Sequence, residues 1–155
     1  LVAEIRQFFD KTLLLAGCIN HGHEILAARL LGADLAYMGT RFIATRESQA
    51  QDAYKKMLLD AHAADIVHTP AVSGVPASFL HQSLEQAGYD MAALKHNPGE
   101  VKLKPLDEEA KAWKTVWSAG QGAGGIHDLP DTAVLIERLR DEYQAAQLRS
   151  AELAR

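Results

Sequence analysis

Gly32-Ala33-Asp34-Leu35-Ala36-Tyr37-Met38-Gly39-Thr40-Arg41-Phe42 is a short apolar run that ends in Gly-Thr. A buried parallel strand presents bare backbone amides to a phosphate in this form, because glycine has no Cβ to hold the anion away. Upstream, Leu13-Leu14-Leu15-Ala16-Gly17 is a second apolar run closing in glycine, and a helical stretch from His23 to Leu31, with Gly32 behind it, joins the two. The order is strand, helix, strand, for which parallel pairing with a right-handed crossover is expected. Neither run alternates, so both faces of both strands are expected to be covered. Two glycine turns at the carboxyl ends of adjacent parallel strands, Gly17 and Gly39, make a phosphate cradle to which the following helix amino end adds positive potential. In barrel enzymes such a cradle follows the seventh and eighth strands.

Composition sets wide bounds on function. The 155 residues are 48% hydrophobic and 23% charged, an ordinary globular balance with material for one core. A formal charge of -4, with Lys and Arg dispersed, argues against a nucleic-acid partner. One cysteine, Cys18, forms no intramolecular disulfide, and the cytoplasm is the default compartment. The longest apolar stretch, Leu13 to Ile19, is too short for a membrane span, and no basic-then-apolar leader opens the chain. The chain begins at Leu1 in a helical pattern with Val2, Ile5 and Phe9 on one face. Only two clear strands, with a third candidate at Asp65 to His68, fall well short of a complete eight-stranded barrel, so the chain is expected to be a fragment completed by further strands.

After Arg46 the pattern turns helical. Glu47 to His62 carries Ala50, Ala53, Tyr54, Met57 and Leu58 at helical spacing, with Glu47 and Ser48 suited to its first turn. The punctuated loop Thr69 to Pro76 precedes an expected short helix from Ala77 to Ala87, closed by Gly88. Asn97-Pro98-Gly99 marks a turn, and Asp107 caps a helix reaching Trp117. Ser118 to Ile126 holds four glycines in nine positions, and a last helix runs from about Asp131 with Leu135, Leu139, Tyr143 and Ala146 on one stripe.

Four stretches together resemble the carboxyl-terminal half of the FMN-dependent nitronate monooxygenases, once called 2-nitropropane dioxygenases. They are Leu15 to Ile19, Ala33 to Glu47, Ser73-Gly74-Val75-Pro76-Ala77 and Trp117 to Gly122. The resemblance implies an α/β fold, the carboxyl-terminal part of a (β/α)8 barrel with a smaller, mostly helical domain. Residues 1–46 would hold the last βα units and the phosphate loops, 47–130 the small domain with its glycine-rich return loop, and 131–155 a barrel-packing helix. It implies FMN as cofactor, with Gly17, Cys18, Gly39, Thr40, Gln121 and Gly122 as cofactor-binding residues and Ser73 and Gly74 beside the substrate pocket. Nitronate and dioxygen are the implied substrates, the missing amino-terminal half-barrel is the implied partner, and a homodimer is compatible with it. No catalytic residue is expected in this chain, because the family's histidine lies in a Gly-Gly-His segment that would precede Leu1. Cys18 and Asn20-His21 depart from the smaller residues common at the first loop.

Plainer readings stand beside these. A glycine at one strand end is more often a tight turn than a phosphate site, and the pairing of two is what argues otherwise. His21 and His23 are read as solvated helix-end side chains rather than metal ligands, and no metal is expected. Cys18 reads as a small residue rather than a nucleophile, Trp113 and Trp117 as packing, and the Gly120 to Gly125 loop, taken without the resemblance, as a flexible connector. Two other functional classes remain open: a flavin-type enoyl-thioester reductase with the same cradle, and a half-barrel subunit without catalysis of its own.

Overall fold

A computed structural model describes residues 1–72, 74–96 and 115–153. The chain folds as two compact units, one made of residues 1–49 and 128–155, the other of residues 50–127. No helix among the described residues is long and apolar enough to cross a membrane.

In the first unit α1 (Val2–Ile5) leads to β1 (Leu14–Ala16), α2 (Gly22–Leu30), β2 (Leu35–Tyr37), a short α3 (Thr40–Ile43) and, from the far end of the sequence, α7 (Thr132–Leu153). β1 and β2 pair in parallel, Leu14 with Leu35, Leu15 with Ala36 and Ala16 with Tyr37. Arg6 fixes the start of β2: its guanidinium donates to the Gly32 carbonyl at 2.8 Å and to Asp34 Oδ2 at 2.6 Å, while the same oxygen accepts from the Leu13 backbone at 2.7 Å. Helices α2 and α7 pack against each other through Gly22, where a Cβ would lie 2.2 Å from the Leu139 carbonyl oxygen. Leu26, Ala28, Leu135, Leu139 and Ala146 are buried.

The expectation that both strand faces are covered does not hold among the described residues. Leu14, Leu35 and Tyr37, alternate residues of neighbouring strands and hence one face, are 51%, 53% and 62% exposed. Helices cover a sheet from one side at a time, and the described residues supply a helical layer to only one side.

The second unit runs α4 (Asp52–Asp60), a 3₁₀ turn (Ala63–Asp65), β3 (Ile66–Thr69), β4 (Ala77–Leu80), α5 (His81–Gln86), α6 (Met91–His96) and a second 3₁₀ turn (Gln121–Gly125). Two readings are corrected here. The candidate third barrel strand pairs antiparallel with β4, Ile66 opposite Leu80, in a separate two-stranded sheet. The reason is the Pro70–Pro76 loop, which folds back through a Gly74 N–H to Pro70 carbonyl bond of 2.7 Å with Gly74 at φ +80. Ala77–Leu80, expected as helix, is therefore strand, and only His81–Gln86 of the expected Ala77–Ala87 helix is helical. Residues 117–119 run beside β4, with Leu80 N–H donating to the Trp117 carbonyl and Ala119 N–H to that of Ser78. Val72, Phe79, Leu84 and Val116 form the core of this unit. Among the described residues there is no closed barrel; the expected Asn97–Gly99 turn, Trp113 and most of the Asp107–Trp117 helix lie outside them.

Candidate functional site

Parallel pairing with Ala16 opposite Tyr37 puts both following turns, Gly17-Cys18 and Met38-Gly39-Thr40, at the same end of the sheet on neighbouring strands. Adjacent strands lie about 4.8 Å apart, a spacing over which one phosphate can accept from both. Gly17 adopts φ +108 and Cys18 φ +53, two successive residues in the left-handed half of backbone space. Glycine tolerates the first of these without strain, so the chain can turn sharply there with no side chain on the turn's open side. Gly39 differs: its φ of -102 is open to any residue, so its lack of a side chain has no local conformational cause. A Cβ at either Gly17 or Gly39 would meet no atom within 4 Å. Removing the side chain there keeps space beside the turns instead of relieving a clash.

The amino end of α2 does not contribute as its position suggests. Glu24 accepts from the Asn20 and His21 N–H groups at 2.6 and 2.9 Å, and Glu142 of α7 accepts from the Gly22 N–H at 2.7 Å. Carboxylates of the chain itself occupy the donors that an anion there would have used. The His21 and His23 rings stack at 5.3 Å, and His21 Nδ1 lies 3.6 Å from the Glu142 carboxylate.

Behind the second turn sits a charged arrangement that the sequence reading did not anticipate. Arg41, only 3% exposed, donates to Asp128 Oδ1 at 2.8 Å, to the Asp128 carbonyl at 3.2 Å and to the Ala44 carbonyl. The other oxygen of Asp128 meets Arg138 of α7 at 2.7 Å. Arg138, by its hydrogen bond, and Arg41, by its charge, hold the Asp128 carboxyl below the usual range, whereas burial pulls the Arg41 guanidinium downward against the attraction of Asp128. Nearby, the Arg46 N–H donates to the Pro130 carbonyl, and Glu47 accepts from the Thr132 backbone and hydroxyl at 2.9 Å. Glu47, expected in the first turn of the next helix, instead caps α7 from 85 residues away.

Of the remaining expected site residues, Gln121 and Gly122 open the second 3₁₀ turn of the second unit, and Gly74 lies in its hairpin loop; Ser73 is outside the described residues. The glycine-rich segment is not a loose connector. Ala123 and Ile126 are buried, and Gly124 stands where a Cβ would come 3.5 Å from the Ala63 nitrogen. Tyr54 stacks on Trp117 at 5.1 Å and donates to the Ser118 carbonyl, which ties the segment's start to α4.

The family model for nitronate monooxygenase matches residues 1–142. The chain belongs to the nitronate monooxygenase family. A nitronate monooxygenase of Paraburkholderia phytofirmans is 32% identical over 140 residues, 85% of this chain and 38% of the relative. Among solved structures, nitroalkane oxidase from Streptomyces ansochromogenes superposes with a TM-score of 0.75 at 30% identity, covering 96% of this chain and 44% of that one. FabK from Thermotoga maritima gives 0.70 at 26%, covering 97% and 50%. The chain thus spans half or less of the length of these proteins. The nitronate monooxygenase family is one of flavin-dependent oxidoreductases. The Arg41, Asp128 and Arg138 cluster left no trace in periodicity or spacing. Its one sequence signal is an arginine directly after Gly-Thr, where a phosphate contact would ordinarily be suspected and burial shows an internal one.

Proposed function

We propose that this chain anchors the FMN phosphate of an enzyme that oxidises alkyl nitronates with dioxygen, and that it is the carboxyl-terminal half of the working site. The observation that carries the proposal is the shared end of β1 and β2, where Gly17, at positive φ, and Gly39, with open space beside it, follow neighbouring strands. The Gly17, Cys18, Gly39 and Thr40 backbone would hold the phosphate, the Thr40 hydroxyl adding a donor. Gln121 and Gly122 would contact the cofactor and Ser73 and Gly74 the substrate, assignments that rest on the family resemblance. Bound flavin supplies the electron acceptance that an electron-rich nitronate needs, with dioxygen as the final oxidant. The chain's own part is to orient and retain the cofactor. A base for neutral nitroalkanes would come from the other half of the barrel.

The exposed apolar face of Leu14, Leu35 and Tyr37 supports a site completed by further strands, since an edge-exposed two-stranded sheet is a poor autonomous structure. The isolated chain is accordingly expected to bind FMN more weakly than micromolar, and tighter binding by fluorescence quenching would refute its incompleteness. Function is tested with the chain joined to an amino-terminal half-barrel. Dioxygen uptake with propionate 3-nitronate supports the proposal. NADH oxidation with an enoyl thioester, and none with the nitronate, would replace it with a reductase of the same fold, a reading with which the likeness to FabK is compatible.

A further inference from the structure

The two phosphate turns come from strands 21 residues apart in sequence, yet each is tied to the same distant helix. Residues Arg138 and Glu142 are one helical turn apart on α7, and the charge of Glu142 acts on Arg138 and on Arg41 alike. Glu142 grips the residue where the first turn becomes helix, accepting from the Gly22 N–H at 2.7 Å. Contact between α2 and α7 there is so close that any side chain at Gly22 would overlap the α7 backbone, so the position of α7 sets that of the first turn's exit. Arg138 reaches the second turn through Asp128 and Arg41. The Gly39 carbonyl accepts from the Phe42 and Ile43 N–H groups at 3.0 and 3.3 Å, so placing α3 places Gly39. Arg41 fixes α3 by gripping both the carboxylate and the carbonyl of Asp128.

We propose that α7 is the element that positions both phosphate turns, holding the Gly17-Cys18 turn through Glu142 and the Gly39-Thr40 turn through the Arg138, Asp128 and Arg41 relay. Glu142, Arg138, Asp128 and Arg41 are positioning residues, and none is required to touch the ligand. The physical advantage is rigidity. A phosphate bridging two strand ends is bound well only if their separation is constant, and a charged, partly buried brace from one helix resists changes in it. The inference rests on the phosphate reading of the two turns given above.

The test follows the amide resonances of Gly17, Cys18, Gly39 and Thr40 in the full 155-residue chain while inorganic phosphate, and separately FMN, is added to millimolar concentration. Wild-type protein should respond at all four. Glu142→Ala should weaken the response of Gly17 and Cys18 at least about threefold, a fraction of what one lost charge-assisted bond is worth, with Gly39 and Thr40 little changed. Asp128→Asn should do the reverse. Glu142→Gln should largely restore the first turn, since its amide oxygen still accepts from Gly22. If Asp128→Asn fails to fold, Arg41→Lys keeps the charge but loses the forked grip and should reproduce the selective loss. Equal loss at all four amides in both variants, or unchanged responses in both, overturns the positioning role while the phosphate site stands. Absence of any wild-type response overturns the site and the inference together.

Discussion

Replacing Gly22 with alanine is the sharpest probe of how the first unit is assembled. The new methyl carbon would stand 2.2 Å from the Leu139 carbonyl oxygen, 2.3 Å from the Tyr143 nitrogen and 2.7 Å from Glu142 Cβ. None of these belongs to a flexible side-chain end, so relief requires α2 and α7 to separate by about an ångström to reach ordinary contact. Overpacking costs about 1–3 kcal/mol, and an obstacle made of helix backbone belongs at the upper limit. Separation also stretches the 2.7 Å bond from the Gly22 N–H to Glu142. A hydrogen bond to a charged group is worth about 1.5–3 kcal/mol, of which part is lost. Alanine regains about 0.5–1 kcal/mol of backbone entropy. The net is destabilisation of about 3–4 kcal/mol, a large share of the about 5–15 kcal/mol typical of a folded domain. In urea unfolding followed by far-ultraviolet circular dichroism, the midpoint should fall by about 1.5–2 M at an unchanged slope. A loss below about 1 kcal/mol would refute the reasoning, since it would mean that the two helices are not held at the observed distance.

The other predictions separate folding from binding. Gly17→Ala forces a side chain onto φ +108 and should cost about 1–2 kcal/mol, whereas Gly39→Ala, at φ -102 with open space, should leave stability within about 0.5 kcal/mol, and both should weaken the phosphate response; paired urea and phosphate titrations decide this. The Asp128 carboxyl is depressed from 3.8 chiefly by its bond to Arg138, so its stabilisation is present above that value and is lost as pH falls through the lower folded value; Asp128→Asn should flatten the acid limb of stability against pH, and an unaltered limb would count against the ion pair. Asp34, depressed chiefly by the Leu13 N–H and then by Arg6, should add to the same limb. Burial raises the Tyr54 hydroxyl above 10.0 against the opposing bond to Ser118, so its contribution is complete below pH 10.0 and disappears as pH rises through the folded value. Tyr54→Phe should remove that alkaline dependence and cost about 1 kcal/mol at neutral pH, measured by thermal unfolding.

Much of the first unit was legible in the chain because its signals are local. An apolar run ending in glycine, a helix closed by Gly32 and a second such run state strand, helix and parallel strand without reference to anything distant. The Gly39-Thr40 turn is readable for the same reason, as is the family resemblance carried by contiguous stretches. Where the reading failed, the deciding contacts were long-range. Ala77–Leu80 has the composition of a helix start, but the loop from Pro70 turns it back onto Ile66–Thr69 and ladder hydrogen bonds outweigh propensity. Glu47 looks like a residue of its own helix because capping by neighbours is commoner than capping across 85 residues. Gly22 carries no turn signal at all, and only the approach of α7 explains why it has no side chain. Nothing near Arg41 in the sequence shows that it is buried, and only the approach of Asp128 and Arg138 explains how it is neutralised. By itself, then, the sequence determined which segments are strands and helices around the two glycine turns, since backbone sterics and hydrophobic periodicity act between near neighbours. Tertiary structure alone decided what braces those turns, because partners for a buried charge or a missing Cβ are chosen by proximity in space.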